Sequence, residues 1–259
     1  MLKVLFVGDI VGDVGLKSFT KSLAKIKSEE KIDVVIVNGE NSGENGAINL
    51  SSAEYLLSSG ADVITTGNHV FRNKNIYEML EGNEFILRPY NYSPLSPGKG
   101  CCLLDLGKAR ILVVNLSGRV YMDPCDDPFA AAEEILRKYP DEKNIIIDFH
   151  AEATSEKYAL ANYLKGRVSA VIGTHTHVQT NDAKILGEGL GYITDAGMTG
   201  PYDSILGIEP EDIIERFTKG LKNKFRQASG IGQFCGVLLT IDEKSGKTAQ
   251  ITPINNIHF

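Results

Sequence analysis

Short apolar runs recur along the chain, and each ends in a glycine or a polar residue before a helical pattern begins. The runs are apolar at nearly every position, which is typical of strands that are covered on both faces. We therefore predict strands at Lys3–Val7, Asp33–Val37, Asp62–Thr65, Ile111–Asn115, Asn144–Phe149, Val168–Ile172 and Gly191–Thr194. Their alternation with helices predicts the class α/β with mixed sheets.

Helix start signals stand between these runs. Ser51 with Glu54 forms a candidate capping box. Asp127 followed by Pro128 supplies an N-cap and a proline at the first helical position. The segment "LKSFTKSLAKIKSEEK" carries an apolar stripe at helical spacing, which indicates a core-facing helix.

The end of the chain departs from this alternation. The segments "QFCGVLLTID" and "TAQITPINNI" are strand-like and are separated by the turn-rich "EKSGK", which predicts an antiparallel hairpin. No linker, low-complexity tract or repeat interrupts the 259 residues. We therefore expect one domain over residues 1–259.

Composition narrows the classes of function. The chain is 42% hydrophobic and 23% charged, which is ordinary for a soluble globular protein. A net charge of −6 without a basic run argues against binding of long nucleic acid, because the affinity of proteins for nucleic acid comes largely from phosphate neutralisation. The acidic N-terminus "MLKVLFVGDIVGD" is unlike a signal peptide, and no apolar stretch approaches the ~20 residues that span a membrane. We expect a cytoplasmic protein whose four cysteines are reduced thiols.

Side chains that bind metals or move protons collect where the apolar runs end. They are Asp9, Glu40, Asn41, Asn68, His69, His150, His175 and His177. Each one alone is explained equally well by a turn, a helix cap or a hydrogen-bonded core histidine. Four of the five histidines belong to the set, however, and ligands of α/β sheets bind at the carboxyl ends of strands. The joint pattern therefore predicts a functional site.

The chemistry of these side chains favours metal binding. His175 and His177 stand two residues apart, and residues so spaced in extended backbone point the same way. Imidazole nitrogens suit Zn, Fe, Mn or Co, whereas carboxylate and amide oxygens suit harder ions. Seven such ligands exceed the needs of one ion and suffice for two. We expect a dinuclear centre whose positive charge attracts an anionic substrate.

Several long strings resemble the calcineurin-like metallophosphoesterase superfamily, and more closely its YmdB-type bacterial branch. They are "GDIVG", "NGEN", "GADVITTGNH", "IDFHAEATSEK", "GTHTHVQT", "YITDAGMTGPYDSILG" and "DDPF", between residues 8 and 207. The resemblance implies a four-layer α/β/β/α sandwich of two mixed β-sheets flanked by helices. It also implies hydrolysis of 2′,3′-cyclic nucleotides to nucleoside monophosphates by a hydroxide shared between two metal ions.

The same resemblance implies roles for individual residues. The ligands implied for one metal are Asp9, Glu40, Asn41 and His177. Those implied for the other are Glu40, Asn68, His150 and His175. Glu40 would bridge the two ions, and His69 would be the catalytic histidine without binding metal. Fe and Mn are the metals we expect first, with Zn and Co as alternatives.

The chain departs from the general superfamily at two ligand positions. Where the superfamily has Asp-x-His, this chain has Asp9-Ile10-Val11, and Asn41 is the natural substitute for the missing imidazole. Glu40 stands where the superfamily usually bridges with aspartate. Both features fit the YmdB-type branch. The segment "VFRNKN" after His69 is less acidic and less aromatic than in that branch, so we expect a difference at the rim of the pocket.

Substrate contacts are expected from loops beyond the metal ligands. The candidates are Asn115, Arg119, Tyr121, Thr199 and Tyr202, although an arginine or tyrosine near a turn is equally consistent with an ordinary surface position. We expect a small nucleotide or phosphodiester as the partner, with RNA ends as a further candidate, no membrane, and a homo-oligomer. Two alternatives stay open. One is a metal-dependent phosphatase or nuclease acting on another phosphate ester, and the other is a non-catalytic scaffold that senses a nucleotide.

Overall fold

The computed structural model describes residues 1–221 and 224–258, in which strands and helices alternate. The helices are α1 (Gly12–Glu29), α2 (Leu50–Ser58), α3 (Tyr77–Gly82), α4 (Pro128–Lys138), α5 (Thr154–Tyr163) and α6 (Pro210–Lys219). The strands are β1 (Leu2–Val7), β2 (Asp9–Ile10), β3 (Val34–Asn38), β4 (Val63–Thr65), β5 (Cys101–Asp105), β6 (Arg110–Ser117), β7 (Ile145–His150), β8 (Ala170–Thr174), β9 (Lys184–Leu186), β10 (Leu190–Ile193), β11 (Met198–Pro201), β12 (Gly232–Ile241) and β13 (Thr248–His258).

Within the described residues the strands form two mixed sheets. The first has the order β2–β11–β12–β1–β3–β4, with β13 also paired to β12, and the second has the order β5–β6–β7–β8–β10–β9. Strands β1, β3 and β4 run parallel in the first sheet, and β6, β7, β8 and β10 run parallel in the second. Each sheet therefore presents a row of carboxyl strand ends.

Apolar layers on both faces of each sheet hold the fold together. In the outer layer of the first sheet, Val7 packs in one cluster with Phe19 of α1. Phe6, the preceding residue, belongs to the layer between the sheets together with Ile172 of β8. A further layer joins α4 and α5 to the outer face of the second sheet. The four-layer α/β/β/α sandwich expected from the sequence is confirmed.

The strands predicted from the apolar runs are confirmed, with ends that differ by one or two residues. The terminal hairpin is confirmed as the antiparallel pair β12–β13. Asp127 caps α4 as expected, because its side chain accepts a hydrogen bond from the backbone N–H of Phe129 at 2.8 Å. Two-sided apolar runs were reliable here because both sheet faces are covered.

The predicted cap of α2 is wrong. The N-cap is Asn49, not Ser51: the Asn49 Oδ1 accepts from the backbone N–H of Ser52 at 2.9 Å. The Ser52 hydroxyl in turn accepts from the backbone N–H of Asn49 at 3.1 Å. Asparagine is as good an N-cap as serine, and a start at Leu50 places the Ser52 hydroxyl where it can reach back.

All four cysteines are free thiols, and three of them are buried. Over residues 1–221 and 224–258, none of the helices combines the length and the hydropathy that crossing a bilayer requires. The cytoplasmic location stays a prediction.

Candidate metal centre

The carboxyl ends of strands from both sheets meet at one place. Asn38, the last residue of β3, donates a hydrogen bond to Asp148 of β7 at 2.9 Å, across the boundary between the sheets. Six of the eight strand-end residues named from the sequence lie in the loops after β3, β4 and β8, whereas Asp9 begins the short strand β2 directly after β1 and His150 ends β7. This edge is where the functional side chains converge.

Three of these side chains form the centre of the cluster. Oε2 of Glu40 lies 2.5 Å from Nε2 of His150, and Nδ1 of His175 lies 3.0 Å from the same nitrogen. One ligand atom from each of the three lies within 4.8 Å of the others. The side chains of Glu40 and His150 are almost completely buried. One metal ion could therefore contact all three.

A second group borders the first through Asp9. Oδ1 of Asp9 lies 3.8 Å from Nε2 of His177 and 3.9 Å from Nδ1 of His150. The amide of Asn41 lies 3.1 Å from Nε2 of His177. Asp9 is fully buried. The structure thus brings Asp9, Asn41 and His177 together beside the first group.

Buried oxygens without partners fit the binding of cations. Among the described residues, Asp9 Oδ1, Glu40 Oε2 and Asn68 Oδ1 are buried without a hydrogen-bond partner. The short approach of Glu40 Oε2 to His150 lacks hydrogen-bond geometry. Leaving such a group unpaired costs about 1–3 kcal/mol, and more when it is charged. Oxygens held beside imidazole nitrogens are the ligand set of a mixed N/O metal site.

The electrostatics of the cluster also favour added positive charge. Burial raises the pKa of Asp9, although His177 and His150 oppose this shift. Burial also opposes ionisation of Glu40, yet the attraction of His150 lowers the Glu40 pKa to about 2. In return the Glu40 carboxylate raises the pKa of His150 to about 9 despite its burial. The carboxylates are thus compensated through the protonated imidazole, a role that a metal cation could take over.

His69 lies beside the cluster and contacts Asn41 and Gly46. Its Nδ1 is 3.1 Å from Oδ1 of Asn41 and 3.1 Å from the carbonyl oxygen of Gly46. Its backbone N–H donates to the Glu40 carboxylate. Because the Gly46 carbonyl can only accept, Nδ1 carries a hydrogen, and Nε2 is left to exchange a proton. Burial lowers the pKa of His69.

The expectation that His175 and His177 point the same way is wrong. Strand β8 ends at Thr174, and the two histidines have φ values of 99° and 64°, in the left-handed region that only a few per cent of non-glycine residues adopt. His175 consequently contacts His150, whereas His177 contacts Asn41 and the Leu206 carbonyl. Because of this turn, the two imidazoles point to different groups of side chains.

Comparisons with known proteins identify the family of the chain. A sequence profile of the family described as YmdB-like protein matches residues 5–254. The chain belongs to this family. This YmdB-like chain is 42% identical over 254 residues to the 2′,3′-cyclic-nucleotide 2′-phosphodiesterase of Bacillus subtilis (strain 168), covering 98% of this chain and 96% of the relative.

Two solved structures of similar proteins have the same fold as this chain. A protein of Thermus thermophilus is 41% identical and matches with a TM-score of 0.93 over 99% of this chain and 100% of its own. A phosphatase from Mycoplasma pneumoniae is 34% identical, with a TM-score of 0.94 over 99% and 94%. The YmdB-type branch expected from the motifs is confirmed, and the expected enzyme class is the one that the Bacillus relative's name states.

A buried ion pair supports the loop that carries His175 and His177, called the histidine loop below. The sequence did not reveal this pair. Lys157 and Asp195 are both fully buried, with Nζ 2.9 Å from Oδ2. Lys157 also donates to the carbonyl of Thr174 at 2.7 Å. Asp195 accepts from the backbone N–H of Thr176 at 3.0 Å and from its hydroxyl at 2.8 Å. The pair thus holds the backbone on both sides of His175.

Further hydrogen bonds orient two of the imidazoles. The Thr174 hydroxyl donates to Asp148 at 2.7 Å, so the His150 Nδ1 at 2.9 Å donates to Thr174 and leaves Nε2 toward Glu40. Nε2 of His175 lies 3.0 Å from Oε2 of Glu152, which leaves Nδ1 toward His150. Carboxylates and hydroxyls of this kind commonly orient metal-binding histidines. Asp148 and Glu152 were not among the site residues predicted from the sequence, although both lie in "IDFHAE".

Two of the substrate candidates are buried in the YmdB-like fold. The side chains of Asn115 and Thr199 are fully buried. Asn115 Oδ1 accepts from the backbone N–H of Thr66 at 2.9 Å, just before the loop that carries Asn68. The Thr199 hydroxyl both donates to and accepts from the backbone of Cys235 at 3.0 Å. These contacts argue for structural roles rather than substrate contact.

The other three substrate candidates are accessible. Arg119 is half-exposed and lies 3.5 Å from Asp127, and Tyr121 is 89% exposed. Tyr202 shares a cavity of about 250 Å³ with His177. Tyr202 is therefore the candidate that lines a described cavity together with a residue of the cluster.

An aromatic pair near the cluster was missed. Phe71 and Tyr92 lie with ring centroids 6.2 Å apart and line a cavity of about 620 Å³. Burial raises the pKa of Tyr92, and the nearby negative charge of Glu40 raises it further. Phe71 belongs to the loop between β4 and α3 that also carries His69, so the pair adjoins the cluster through Phe71. Phe71 follows His69 by two residues, but nothing in the sequence connects it with Tyr92.

Proposed function

We propose that this YmdB-like protein hydrolyses 2′,3′-cyclic nucleotides to nucleoside monophosphates at a centre of two divalent or trivalent metal ions. The observation that carries the proposal is the buried cluster in which oxygens of Asp9 and Glu40 without a hydrogen-bond partner lie beside His150, His175 and His177. The name of the Bacillus relative supports the substrate class.

The proposed ligand sets follow the two groups of contacts. Asp9, Asn41 and His177 would hold one ion and His150 and His175 the other, with Glu40 shared, and Asn68, whose buried Oδ1 has no hydrogen-bond partner, would complete the second set. Fe or Mn fit these mixed ligands best, and Zn or Co are alternatives. When bound, two such ions polarise phosphoryl oxygens and lower the pKa of water toward neutrality.

His69 is the proposed proton donor. The Gly46 carbonyl and Asn41 Oδ1 hold the hydrogen of Nδ1, so the mobile proton belongs to Nε2. From there it passes to the ribose oxygen that leaves phosphorus. General acid catalysis of this kind contributes about 10²–10⁴-fold. The Glu40 carboxylate, which accepts from the His69 backbone N–H, fixes the distance between proton donor and metal site.

The aromatic pair is the proposed contact for the base of the nucleotide. Phe71 and Tyr92 line one cavity, and Phe71 lies in the same loop as His69. Stacking of a base on an aromatic ring contributes about 1–3 kcal/mol. Arg119, Tyr121 and Tyr202 remain candidates for further contacts.

The test compares three substrates on purified protein with added Mn²⁺: 2′,3′-cyclic AMP, 3′,5′-cyclic AMP and p-nitrophenyl phosphate. Preferred hydrolysis of the 2′,3′ ester, with a nucleoside monophosphate as product, supports the proposal. Preference for p-nitrophenyl phosphate favours a general phosphatase, the class to which the similar Mycoplasma pneumoniae protein is assigned by name. If protein that holds two ions hydrolyses none of the three substrates, the result favours the nucleotide-sensing scaffold.

Three further expectations remain proposals. We infer a homo-oligomer, a cytoplasmic location, and one domain over residues 1–259. RNA ends with a 2′,3′-cyclic phosphate carry the same reacting group as the free nucleotide, so the proposed chemistry extends to them.

A further inference from the structure

A large cavity lies away from the metal cluster, beside α4 and β5. Its volume is about 930 Å³, and none of the proposed metal ligands lines it. Its lining includes basic and aromatic side chains, namely Arg88, Lys99, Arg137, Lys138, Tyr90 and Tyr139. Pockets of about 300–1,000 Å³ suit small organic ligands.

Arg88 is the unusual residue of this cavity. It is only 6% exposed, and no carboxylate of the described residues lies within ion-pair distance of it. Its Nη1 donates to the carbonyls of Pro89 at 2.8 Å and Tyr90 at 3.3 Å, and its Nε is buried without a partner. A buried guanidinium is rare unless it is paired. Arg88 therefore carries a positive charge that the described residues leave uncompensated.

Most acidic side chains of the cavity already have partners. Glu84 pairs with Lys99 at 3.2 Å, and Glu134 accepts from the Tyr90 hydroxyl at 2.7 Å. Asp127 caps α4. Among the lining residues that the structure describes, Asp126 is the acidic residue whose carboxylate has no hydrogen bond.

Three of the four basic side chains of the cavity lack an ion pair. Arg88, Arg137 and Lys138 have no ion-pair partner within the described part of the chain, although Lys138 lies 5.5 Å from the centroid of the Tyr139 ring. The cavity is lined by equal numbers of acidic and basic side chains, so its local positive charge is that of the buried Arg88, which no carboxylate of the described residues contacts. An anion is the ligand that this charge favours.

We propose that this cavity binds a small organic phosphate, with the phosphate on Arg88 and a planar ring against Tyr90 or Tyr139. The planar fork of arginine matches phosphate oxygens in pairs. The cavity is larger than a phosphate ion requires, and its tyrosines supply faces for a ring. None of the proposed metal ligands lines the cavity and the phosphate is assigned to Arg88, so the proposal does not rest on the proposed hydrolysis, although Tyr92 of the aromatic pair lines both this cavity and the one of about 620 Å³.

The experiment counts binding sites on the full-length, metal-loaded protein by isothermal titration calorimetry. The probes are adenosine 5′-monophosphate, inorganic phosphate and adenosine. For the monophosphate, Arg88→Met should lower the number of sites by one per chain, or weaken one site about tenfold or more. Arg137→Gln, an exposed change, should weaken the same site about three- to fivefold. Arg216→Gln removes the same charge from the exposed helix α6 and should change nothing.

Each outcome of the titrations either supports or overturns the proposed phosphate site. Equal numbers of sites and affinities in wild type and Arg88→Met would overturn the proposal, as would adenosine binding as tightly as its monophosphate. Inorganic phosphate that competes at full strength would support the anion site and assign it to free phosphate. If circular dichroism finds Arg88→Met unfolded, Arg137→Gln decides, and an effect no larger than that of Arg216→Gln counts against the site.

Discussion

The ion pair beneath the histidine loop should contribute measurably to stability. Lys157→Met removes the ammonium that donates to Asp195 and to the Thr174 carbonyl, in a place where neither partner reaches water. Breaking a buried pair by removing one partner costs about 3–5 kcal/mol. Asp195 keeps hydrogen bonds from Thr176 and Gly197, so we expect the lower end, about 3 kcal/mol.

The assay is urea unfolding, followed by thermal unfolding of the same samples. For a chain of this size, about 3 kcal/mol corresponds to a fall in Tm of about 6–12 °C. Lys219→Met is the matched control, because Lys219 pairs with Glu215 at 2.9 Å on the surface and should cost less than about 0.5 kcal/mol. Metal content should fall too, since the loop of His175 loses its anchor. A loss below about 1 kcal/mol with unchanged metal content would refute this reasoning.

Three other perturbations test separate parts of the site and fold. His69→Ala should keep its metal and lose about 10²–10⁴-fold in turnover; a drop in metal content by elemental analysis would make His69 a ligand. Phe71→Ala should raise KM for 2′,3′-cyclic AMP more than it lowers kcat, and an unchanged KM would exclude base stacking there. Burial opposes ionisation of Asp182, but hydrogen bonds from Thr194 and Thr180 hold its pKa below the usual range. That contribution is present above the unfolded pKa of about 3.9 and is lost as pH falls through the lower folded pKa. Urea midpoints of Asp182→Asn and wild type should therefore differ near neutrality and approach each other as pH falls through the folded pKa; a constant difference would contradict this assignment.

The strands and the place of the site could be predicted because each depends on a local pattern. A strand covered on both faces has apolar residues throughout, as β1 and β7 do, so its bounds are visible in the sequence. The carboxyl ends of parallel strands meet at one edge, so polar residues just after such runs are brought together. Glu40 and His150 converge for this reason.

The remaining features depend on contacts between distant segments. Lys157 lies on a helix and Asp195 follows β10, and only the assembled second sheet places one against the other. The left-handed backbone of His175 and His177 has no signal in their residue types, since such φ values favour glycine. Asn49 rather than Ser51 is the N-cap because the helix starts at Leu50, and the predicted capping box placed that start two residues too late.

The central claim is that Glu40 joins two metal ions in a hydrolytic site. Its most direct test is the metal content of purified protein, measured by elemental mass spectrometry on the same samples used for hydrolysis of 2′,3′-cyclic AMP. We predict about two ions per chain in wild type, and loss of both metal and activity in Glu40→Gln. Glu188→Gln, an exposed change at a residue that pairs with Lys247, should keep both. A Glu40→Gln protein that retains its ions, or an active wild type without metal, would contradict the account.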